Sequence, residues 1–174
     1  KANGYEAFLI GGSVRDFIMD LPIGDIDITT NATPNEVKQV FTGFRVIETG
    51  IKHGTVTVLI DDEPLEITTY RSEGTYSDNR HPDRVAFVAS VEEDLARRDF
   101  TVNAMAYSPT RGFADPFGGQ EDLKNRILRA VGDPGARFRE DSLRILRGAR
   151  FAAKYRLIPD PGTEKAMEEL APLM

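Results

Sequence analysis

Two aspartates, Asp25 and Asp27, are separated by one residue within a β-prone run over residues 24–30. Alternate side chains of a strand leave the same face roughly 6.6 Å apart, so both carboxylates would share one face while Ile26 and Ile28 enter the core. Two unpaired anions this close raise each other's pKa unless a cation neutralises them. Carboxylate oxygens without a nearby histidine or thiol are ligands that Mg²⁺ prefers. The pair therefore predicts a magnesium site, and the alternative is an acidic strand edge exposed to water.

A glycine-rich turn precedes the aspartate pair. Residues 6–10 predict a buried strand and the residues after Ser13 have helical character, which places Gly11 and Gly12 at a strand-to-helix turn. Glycine lets the backbone approach a ligand closely, and the N–H groups at the start of a helix bind anions. The Ser13 hydroxyl and the Arg15 guanidinium would extend that anion site. Alone, a Gly-Gly pair is more often a tight connection, but together with the carboxylates it predicts a nucleoside triphosphate site.

The composition is that of an ordinary globular chain. It has 174 residues, 40% hydrophobic and 29% charged, which is enough to bury a core in one compact domain with an appended helical piece. The absence of cysteine excludes disulfides, zinc–thiolate sites and thiol nucleophiles. No apolar run is long enough to span a membrane and no secretion signal opens the chain. We therefore expect a cytoplasmic protein without membrane contact. The chain begins at Lys1 and stops at Met174 inside a predicted helix, so we expect a longer protein.

The charge is unevenly distributed along the chain. The net charge is −6, yet residues 137–156 hold seven arginines and lysines against two acidic residues, which leaves −11 for the rest. A basic helix on an acidic body predicts a local contact with phosphate or bases, in contrast to general electrostatic wrapping of nucleic acid. The alternative is a solvated helix face.

The first half of the chain predicts a small mixed sheet with helices. Residues 33–36, Thr-Pro-Asn-Glu, have the form of a capping box with proline at the first helical position, and predict a helix to about Phe41. Strands are predicted at residues 45–48, 55–60 and 65–70. The acidic turn at residues 61–64 separates the last two strands.

The second half predicts a functional loop and then helices. The polar, turn-rich segment 71–84 is long for a simple connector. Ser90 and Glu93 begin another capped helix. From Pro134 onward the sequence loses strand character, so we expect a head domain at residues 1–132 and a helical neck at residues 133–174 that is cut short.

Five motifs occur in the order and spacing of class II tRNA nucleotidyltransferases. They are Gly11-Gly12-Ser13-Val14-Arg15-Asp16, Asp25-Ile26-Asp27, Arg-Arg-Asp-Phe-Thr-Val-Asn-Ala at 97–104, Asp-Pro-Phe-Gly-Gly at 115–119, and Glu-Asp-Ser-Leu-Arg at 140–144 followed by Arg147 and Arg150. Over nearly its whole length, the chain resembles the head and part of the neck of the bacterial CCA-adding enzymes. The resemblance implies an α+β fold, in which a small mixed β-sheet of the polymerase β nucleotidyltransferase superfamily is flanked by helices and followed by an all-α neck.

The resemblance also implies an activity and its participants. Such an enzyme extends the tRNA 3′ end from CTP and ATP without a nucleic-acid template, uses Mg²⁺ and releases pyrophosphate. Asp25 and Asp27 would hold two Mg²⁺ ions, and the implied catalytic set is completed by Asp99. Glu66 is an equal candidate for the third carboxylate, and contact with the ribose is the alternative role of Asp99. The implied nucleotide-binding residues are Gly11, Gly12, Ser13, Arg15, Arg98, Asn103, Asp141, Arg144, Arg147 and Arg150. The oligomeric state stays open, with a homodimer of the full-length protein as one option.

Base choice can be argued from Asp141 and Arg144. Residues three apart are neighbours on a helix, so a carboxylate acceptor and a guanidinium donor together present an edge like that of a base-pairing partner. The carboxylate accepts from the exocyclic amine of cytosine or adenine, whereas uracil and guanine oppose it with a carbonyl, at a cost of about 1 to 3 kcal/mol. The alternative is an ordinary helix ion pair. Arg147 would support Arg144, and Arg150 would reach phosphate or brace the neck.

Several relatives share these motifs. Bacterial poly(A) polymerases have the same carboxylates, and some organisms divide the work between CC-adding and A-adding enzymes. Segment 71–84 occupies the place of a loop that the family links to the switch to ATP, which favours CCA or A addition over CC addition. A non-catalytic RNA-binding head would predict a damaged carboxylate pair, and an aminoglycoside nucleotidyltransferase gives no reason for the basic helix at 140–150. His53 and His81 have no metal-binding partner in the sequence, and we expect turn or loop roles for both.

Overall fold

A mixed β-sheet flanked by helices makes up most of the fold, which the computed structural model describes for residues 3–74 and 85–174. The strands of the described residues are β1 (Ala7–Ile10), β2 (Asp27–Thr30), β3 (Arg45–Ile47), β4 (Thr55–Ile60), β5 (Glu63–Thr69), β6 (Arg71–Glu73), β7 (Val85–Phe87), β8 (Ala106–Ser108), β9 (Gly112–Ala114), β10 (Ile127–Leu128) and β11 (Ile158–Pro159). The helices are α1 (Gly12–Ile18), α2 (Pro34–Val40), α3 (Val91–Ala96), α4 (Gly119–Lys124), α5 (Pro134–Glu140), α6 (Leu143–Tyr155) and α7 (Pro161–Leu170). No helix of these two ranges has both the length and the apolar composition to cross a membrane.

The central sheet has seven strands in the order β3-β4-β5-β2-β1-β8-β9. Strands β2 and β5 run parallel, and the other neighbours are antiparallel. The parallel pair sets Asp27 beside Glu66, although the two residues lie far apart in the sequence. This register brings the acidic groups of the site together.

Local sequence signals set several of these elements as predicted. Thr33 and Glu36 form the capping box that begins α2, and Ser90 and Glu93 form the one that begins α3. The turn between β4 and β5 is shorter than predicted, because Ile60 already pairs with Glu63 and only the two residues between them reverse the chain. These two residues, Asp61 and Asp62, both have positive φ, as a two-residue hairpin turn of this kind requires.

The prediction of one strand over residues 24–30 is wrong at its start. Strand β2 begins at Asp27, so Asp25 precedes the strand and Ile26 is 42% exposed instead of buried. Strand β1 ends at Ile10, where the chain turns into α1, and the last β1–β2 pair is Leu9 with Ile28. Residues 24–26 therefore have no β1 partner. Ile28 packs against the core as predicted.

The helical segment after residue 133 packs directly on the sheet region. Strand β11 lies in this segment, where no strand was predicted, and pairs in parallel with β10 across the predicted boundary. One hydrophobic cluster contains Phe100 together with Phe138 and Phe151, so the two parts share a core. The segment is helical as predicted, and its assignment to a separate neck domain stays a prediction.

The predicted loop 71–84 begins as a strand. Residues 71–73 form β6, which pairs with β7 in an antiparallel ladder, so the prediction of a loop is wrong for these three residues. Residues 75–84, including His81, lie outside the described residues. His53 closes a short 3-10 turn at Ile51–His53, in agreement with its predicted turn role.

Candidate active site

An open cleft of about 750 Å³ lies between the sheet and α6. It is lined by all the predicted site residues except Gly11, namely Gly12, Ser13, Arg15, Asp25, Asp27, Arg98, Asp99, Asn103, Asp141, Arg144, Arg147 and Arg150, and also by the alternative candidate Glu66. Residues predicted from four of the five motifs thus share one cavity, and the motif at 115–119 does not line it. Asp25, Asp27 and Glu66 come from the sheet side, and most of the basic groups come from α6 and from the residues after α3.

Three carboxylates, Asp25, Asp27 and Glu66, form the acidic side of the cleft. Asp27 and Glu66 occupy paired positions on parallel strands, so their side chains leave the same face of the sheet. Burial raises the pKa of the Asp27 carboxyl, and the negative charges of Glu66 and Asp25 raise this pKa further, against an opposing effect of Arg98. A divalent cation would relieve this repulsion.

The donor set fits a cation that also binds a substrate phosphate. Within the described ranges, no group of three or more acidic or histidine side chains is already arranged to enclose a metal ion. Mg²⁺ in nucleotide sites is commonly held by one or two carboxylates plus phosphate oxygens and water, so an open carboxylate set suits it. Asp25 and Asp27, with Glu66 beside them, are the residues that would hold it.

The raised pKa of Asp27 leads to a prediction on stability. Since folding disfavours the charged carboxylate, the free energy of unfolding measured in EDTA falls as the pH rises from about 4 through the raised pKa of Asp27. Asp27→Asn removes this loss, so we expect its Tm in EDTA at pH 7 to exceed that of the unmodified protein by a few degrees. Addition of Mg²⁺ should raise the Tm of the unmodified protein more than that of the variant. Thermal unfolding followed by circular dichroism measures both, and a lower Tm of Asp27→Asn in EDTA would contradict the prediction.

Asp99 is 6% exposed and has contacts with neighbouring protein groups. Its Oδ1 accepts from the Phe100 N–H at 2.8 Å and from Asn103 Nδ2 at 3.3 Å. Its Oδ2 forms an ion pair with Arg147 at 2.7 Å. These contacts orient Asn103 and Arg147. Because both Asp99 oxygens already bind protein groups, the contacts favour Glu66 over Asp99 as the third carboxylate.

Ser13 links the glycine turn to the acidic side. Its hydroxyl donates to the Asp25 carbonyl at 3.0 Å and accepts from the Asp27 N–H at 3.4 Å. These bonds fix the backbone of the carboxylate pair relative to the start of α1. Contact of Ser13 with a phosphate stays a prediction.

Arg15 is 5% exposed and connects α1 with α6. Its guanidinium donates to Asp16 Oδ1 at 2.8 Å, to Asn103 Oδ1 at 2.6 Å and to the Tyr155 hydroxyl at 2.5 Å. It also lies 4.1 Å from the centre of the Tyr155 ring, a cation–π contact. The guanidinium nitrogens are used within the protein, so Arg15 shapes the floor of the cleft, and its predicted bond to a triphosphate oxygen stays a prediction.

Arg98 has fewer protein hydrogen bonds than Arg15. Its side chain is mostly buried, with 23% exposed, and this burial lowers the pKa of the Arg98 guanidinium. Its Nη1 donates weakly to the Asn103 carbonyl at 3.5 Å, its Nη2 lies 3.8 Å from Asp94 Oδ2, and its Nε has no hydrogen-bond partner. The side chain lies against Gly11, which has φ +66°, and a Cβ there would come within 2.7 Å of Nη1. The glycine leaves room for an arginine that can bind an anion.

Asp141 and Arg144 do not share one continuous helix, contrary to the prediction. Helix α5 ends at Glu140 and α6 begins at Leu143, so Asp141 lies in the extended junction with φ −143°. There its side chain caps α6 by accepting from the Leu143 N–H at 3.0 Å. The Arg144 guanidinium binds Glu140 at 2.6 Å. Such a local bond from a side chain to the backbone competes with helix continuation, which is consistent with the break.

The next two arginines of α6 differ from each other in their contacts. Arg147 forms an ion pair with Asp99, in the motif at 97–104. Its support of Arg144 stays a prediction. Arg150 is exposed, and its guanidinium lies 5.1 Å from the centre of the Phe151 ring. Both still face the cleft.

Sequence reasoning missed several residues that organise the basic side. Glu73 on β6 binds Arg97 at 2.7 Å and lies 3.7 Å from Arg144, which connects the base of segment 71–84 with α6. Arg137 donates to the carbonyls of Ala96 and Arg97 at the end of α3. Lys154 and Tyr155 also line the cleft. The Arg-Ser-Glu pattern at 71–73, with alternate charges after a strand, was the available signal for Glu73.

Comparison with known proteins agrees with this geometry. The chain matches the family model of the poly A polymerase head domain over residues 7–129. The CCA-adding enzyme of Enterococcus faecalis (strain ATCC 700802 / V583) is 50% identical over all 174 residues, and that of Streptococcus suis (strain 05ZYH33) is 53% identical over the same length. The chain spans 42% of the first protein and 43% of the second.

Solved structures show the same similarity. The Bacillus stearothermophilus CCA-adding enzyme in complex with CTP superposes with a TM-score of 0.88 at 44% identity, over 99% of this chain and 41% of that one. A tRNA nucleotidyltransferase complexed with a primer tRNA and an incoming ATP analog gives a TM-score of 0.78 at 31% identity, over 99% of this chain and 48% of that one. The predicted α+β head and the resemblance to tRNA nucleotidyltransferases are thereby confirmed. The chain belongs to the poly A polymerase head domain family.

Proposed function

We propose that the chain is the catalytic part of a template-independent nucleotidyltransferase that adds CCA to the 3′ end of tRNA from CTP and ATP. One observation carries the proposal: a single cleft sets the carboxylates Asp25, Asp27 and Glu66 across from Arg98 and the start of α6. The names of the similar proteins agree with it, since these include CCA-adding enzymes and structures with CTP and with a primer tRNA. Such a protein would act in the cytoplasm, and its oligomeric state stays a prediction.

The reaction joins the 3′-hydroxyl oxygen of the RNA to the α-phosphorus of the nucleotide, and the hydroxyl proton is lost to water. The bond from that phosphorus to the oxygen shared with the β-phosphorus breaks, and pyrophosphate leaves. Divalent metal is usual for nucleotidyltransferases of this superfamily, and Mg²⁺ held by Asp25 and Asp27 would make the 3′-hydroxyl more acidic and stabilise charge on the phosphates. Arg98 lines the cleft with a side chain that is 23% exposed, and it would bind a phosphate oxygen through its terminal Nη groups. No protein nucleophile is needed.

Selection of C and A is proposed to come from Asp141 and Arg144 at the other end of the cleft. The Asp141 carboxylate accepts from the exocyclic amine, and Arg144 donates to a ring acceptor of the same base. Asp141 Oδ1 accepts one hydrogen bond from the Leu143 N–H, and this bond orients the carboxylate. A carbonyl of uracil or guanine at this position would face an acceptor.

We therefore expect Asp141→Ala to lower the preference for CTP over UTP by about tenfold, because the misplaced carbonyl no longer meets a carboxylate. Triphosphate affinity should change less. Incorporation of each labelled nucleotide into tRNA that lacks its terminal nucleotides measures the preference.

The matched control is Asp133→Ala, which also removes the cap of a helix, since Asp133 accepts from the Ala136 N–H at the start of α5, but which does not line the cleft. Unchanged base preference in Asp141→Ala, or an equal change in the control, would contradict the assigned role.

The test of the function itself uses the intact protein with Mg²⁺ and labelled CTP, ATP, GTP or UTP. The RNA is either tRNA without its terminal nucleotides or an unrelated RNA. We expect incorporation of C and A into the tRNA, limited to the missing nucleotides. No incorporation into either RNA would overturn the proposal in favour of a non-catalytic RNA-binding role.

A second candidate is a poly(A) polymerase or a dedicated A-adding enzyme. The name of the matched family model favours it. Long A tracts on the unrelated RNA would support the polymerase, and addition of A alone to tRNA that already ends in CC would support the A-adding enzyme. The segment proposed to distinguish these activities lies mostly outside the described residues.

A further inference from the structure

Asp94, the fourth residue of α3, is fully buried beside three arginines and belongs to none of the motifs above. We infer that Asp94 is a positioning residue that holds the Arg98 guanidinium in the cleft as an anion-binding group while leaving its N–H donors free. The inference rests on the proposed function, because it assigns Arg98 to the nucleotide. Asp94 does not line the cleft, so it would act on the nucleotide site only through Arg98.

The two oxygens of Asp94 have different surroundings. Oδ1 accepts from the Arg71 N–H at 3.1 Å and from Arg97 Nε and Nη2 at 3.0 and 2.9 Å. Oδ2 has no hydrogen-bond partner, and Arg98 Nη2 lies 3.8 Å from it. Oδ1 therefore anchors the carboxylate to β6 and to the end of α3, which directs the negative charge of Oδ2 at Arg98.

A distance of 3.8 Å is suited to this role. An ion pair at that distance stabilises a buried positive charge, which is costly without a counter-charge. It is too long for a hydrogen bond, so Asp94 does not occupy the donors of Arg98. The Nε of Arg98 is buried, so the donors left for a ligand are those of Nη1, which has only a long contact with a carbonyl, and of Nη2. An arginine that is neutralised but not hydrogen-bonded by its counter-ion is ready to bind phosphate.

The other charged groups near Arg98 explain why Asp94 is needed. Arg97 is a like charge, and the remaining acidic groups acting on Arg98 are Asp99 and Asp27. Asp99 is already paired with Arg147, whereas Asp27 belongs to the carboxylate pair. Without the charge of Asp94, Arg98 would be drawn toward Asp27, where it would compete with a divalent cation.

The experiment is Asp94→Asn in the intact protein, with CTP binding measured by isothermal titration calorimetry and transfer measured on tRNA that lacks its terminal nucleotides. We expect the Kd for CTP and the KM for CTP to rise about tenfold, the half-saturating Mg²⁺ concentration to rise as well, and kcat to change by less than about threefold. The matched control is Asp122→Asn. Asp122 is also a buried aspartate, 6% exposed and paired with Arg129, but it does not line the cleft.

A double variant tests whether Asp94 acts through Arg98. If it does, Asp94→Asn combined with Arg98→Gln binds CTP as weakly as Arg98→Gln alone, whereas independent effects would add. Unchanged CTP affinity in Asp94→Asn, an equal loss in Asp122→Asn, or additive effects would each overturn the inference. If Asp94→Asn fails to fold, the double variant should fold, because it also removes the uncompensated charge. A double variant that also unfolds would mean that Asp94 serves the fold alone.

Failure of the proposed function gives a different result. If the unmodified protein binds CTP and this binding depends on Asp94, yet no nucleotide is transferred to any RNA, the assignment of Asp94 stands and the proposed reaction fails. If transfer occurs and CTP binding does not depend on Asp94, the reaction stands and the inference fails.

Discussion

Replacement of Asp25 by asparagine is expected to lower kcat for nucleotide transfer by about 10³-fold, equivalent to roughly 4 kcal/mol of activation free energy. The Asp25 carboxylate lies in the cleft, and the Ser13 hydroxyl fixes the Asp25 backbone by donating to its main-chain carbonyl. Asparagine has nearly the same shape but lacks the charge that would hold a divalent cation, which supplies several kcal/mol of charge stabilisation in such sites. Single-turnover transfer of labelled CTP to tRNA measures the loss.

Nucleotide binding should survive this change, since the groups proposed to contact the triphosphate and the base lie elsewhere in the cleft. We expect the Kd for CTP to change by less than about threefold. The matched control is Asp62→Asn, in an exposed hairpin turn with φ +65°, a conformation that asparagine tolerates. Retained transfer in Asp25→Asn would exclude a role of this carboxylate in metal binding.

Gly11→Ala is expected to weaken CTP binding by about 10- to 100-fold. The backbone there has φ +66°, and the new Cβ would lie 2.7 Å from Arg98 Nη1. This nitrogen is at the end of a flexible side chain, so the cheapest adjustment is displacement of the guanidinium from its place in the cleft. Loss of one charge-assisted contact to phosphate costs about 1.5 to 3 kcal/mol. Calorimetric titration with CTP measures the change in affinity.

Gly112→Ala separates the contact from the backbone strain. Gly112 has φ +74°, and a Cβ there would meet no atom within 4 Å. Both variants should lose stability because of their positive φ, and Gly11→Ala should show the larger decrease in Tm, since its ψ of −123° lies outside the left-handed helical region. Only Gly11→Ala should lose CTP affinity. Equal CTP affinity in the two variants would show that Arg98 does not contact the nucleotide.

Local signals in the sequence were sufficient for much of the fold. The capping boxes at Thr33 and Ser90 satisfy backbone N–H groups within one turn, so no distant residue is needed to begin those helices. The strand at residues 55–60 was predicted with its observed limits. Each of these elements depends on residues only a few positions apart.

Contacts between distant residues explain what the sequence did not predict. Asp27 and Glu66 become neighbours only through the parallel pairing of β2 and β5, so the sequence alone offered no reason to prefer Glu66 over Asp99. The partners of Arg15 are likewise remote, at Asn103 and Tyr155. The break before α6 was missed because the cap at Asp141 replaces a helical turn that the spacing allowed.

The hydrogen bond between Arg15 and Tyr155 joins residues separated by 140 positions. During synthesis on the ribosome, the glycine turn and both aspartates emerge long before the residue that completes the floor beneath them. Closing so wide a chain loop is entropically costly and belongs to the later steps of folding. A nascent chain that has not yet reached α6 therefore lacks one wall of the cleft, so we expect the proposed nucleotide site to form only when nearly all of these residues have been made.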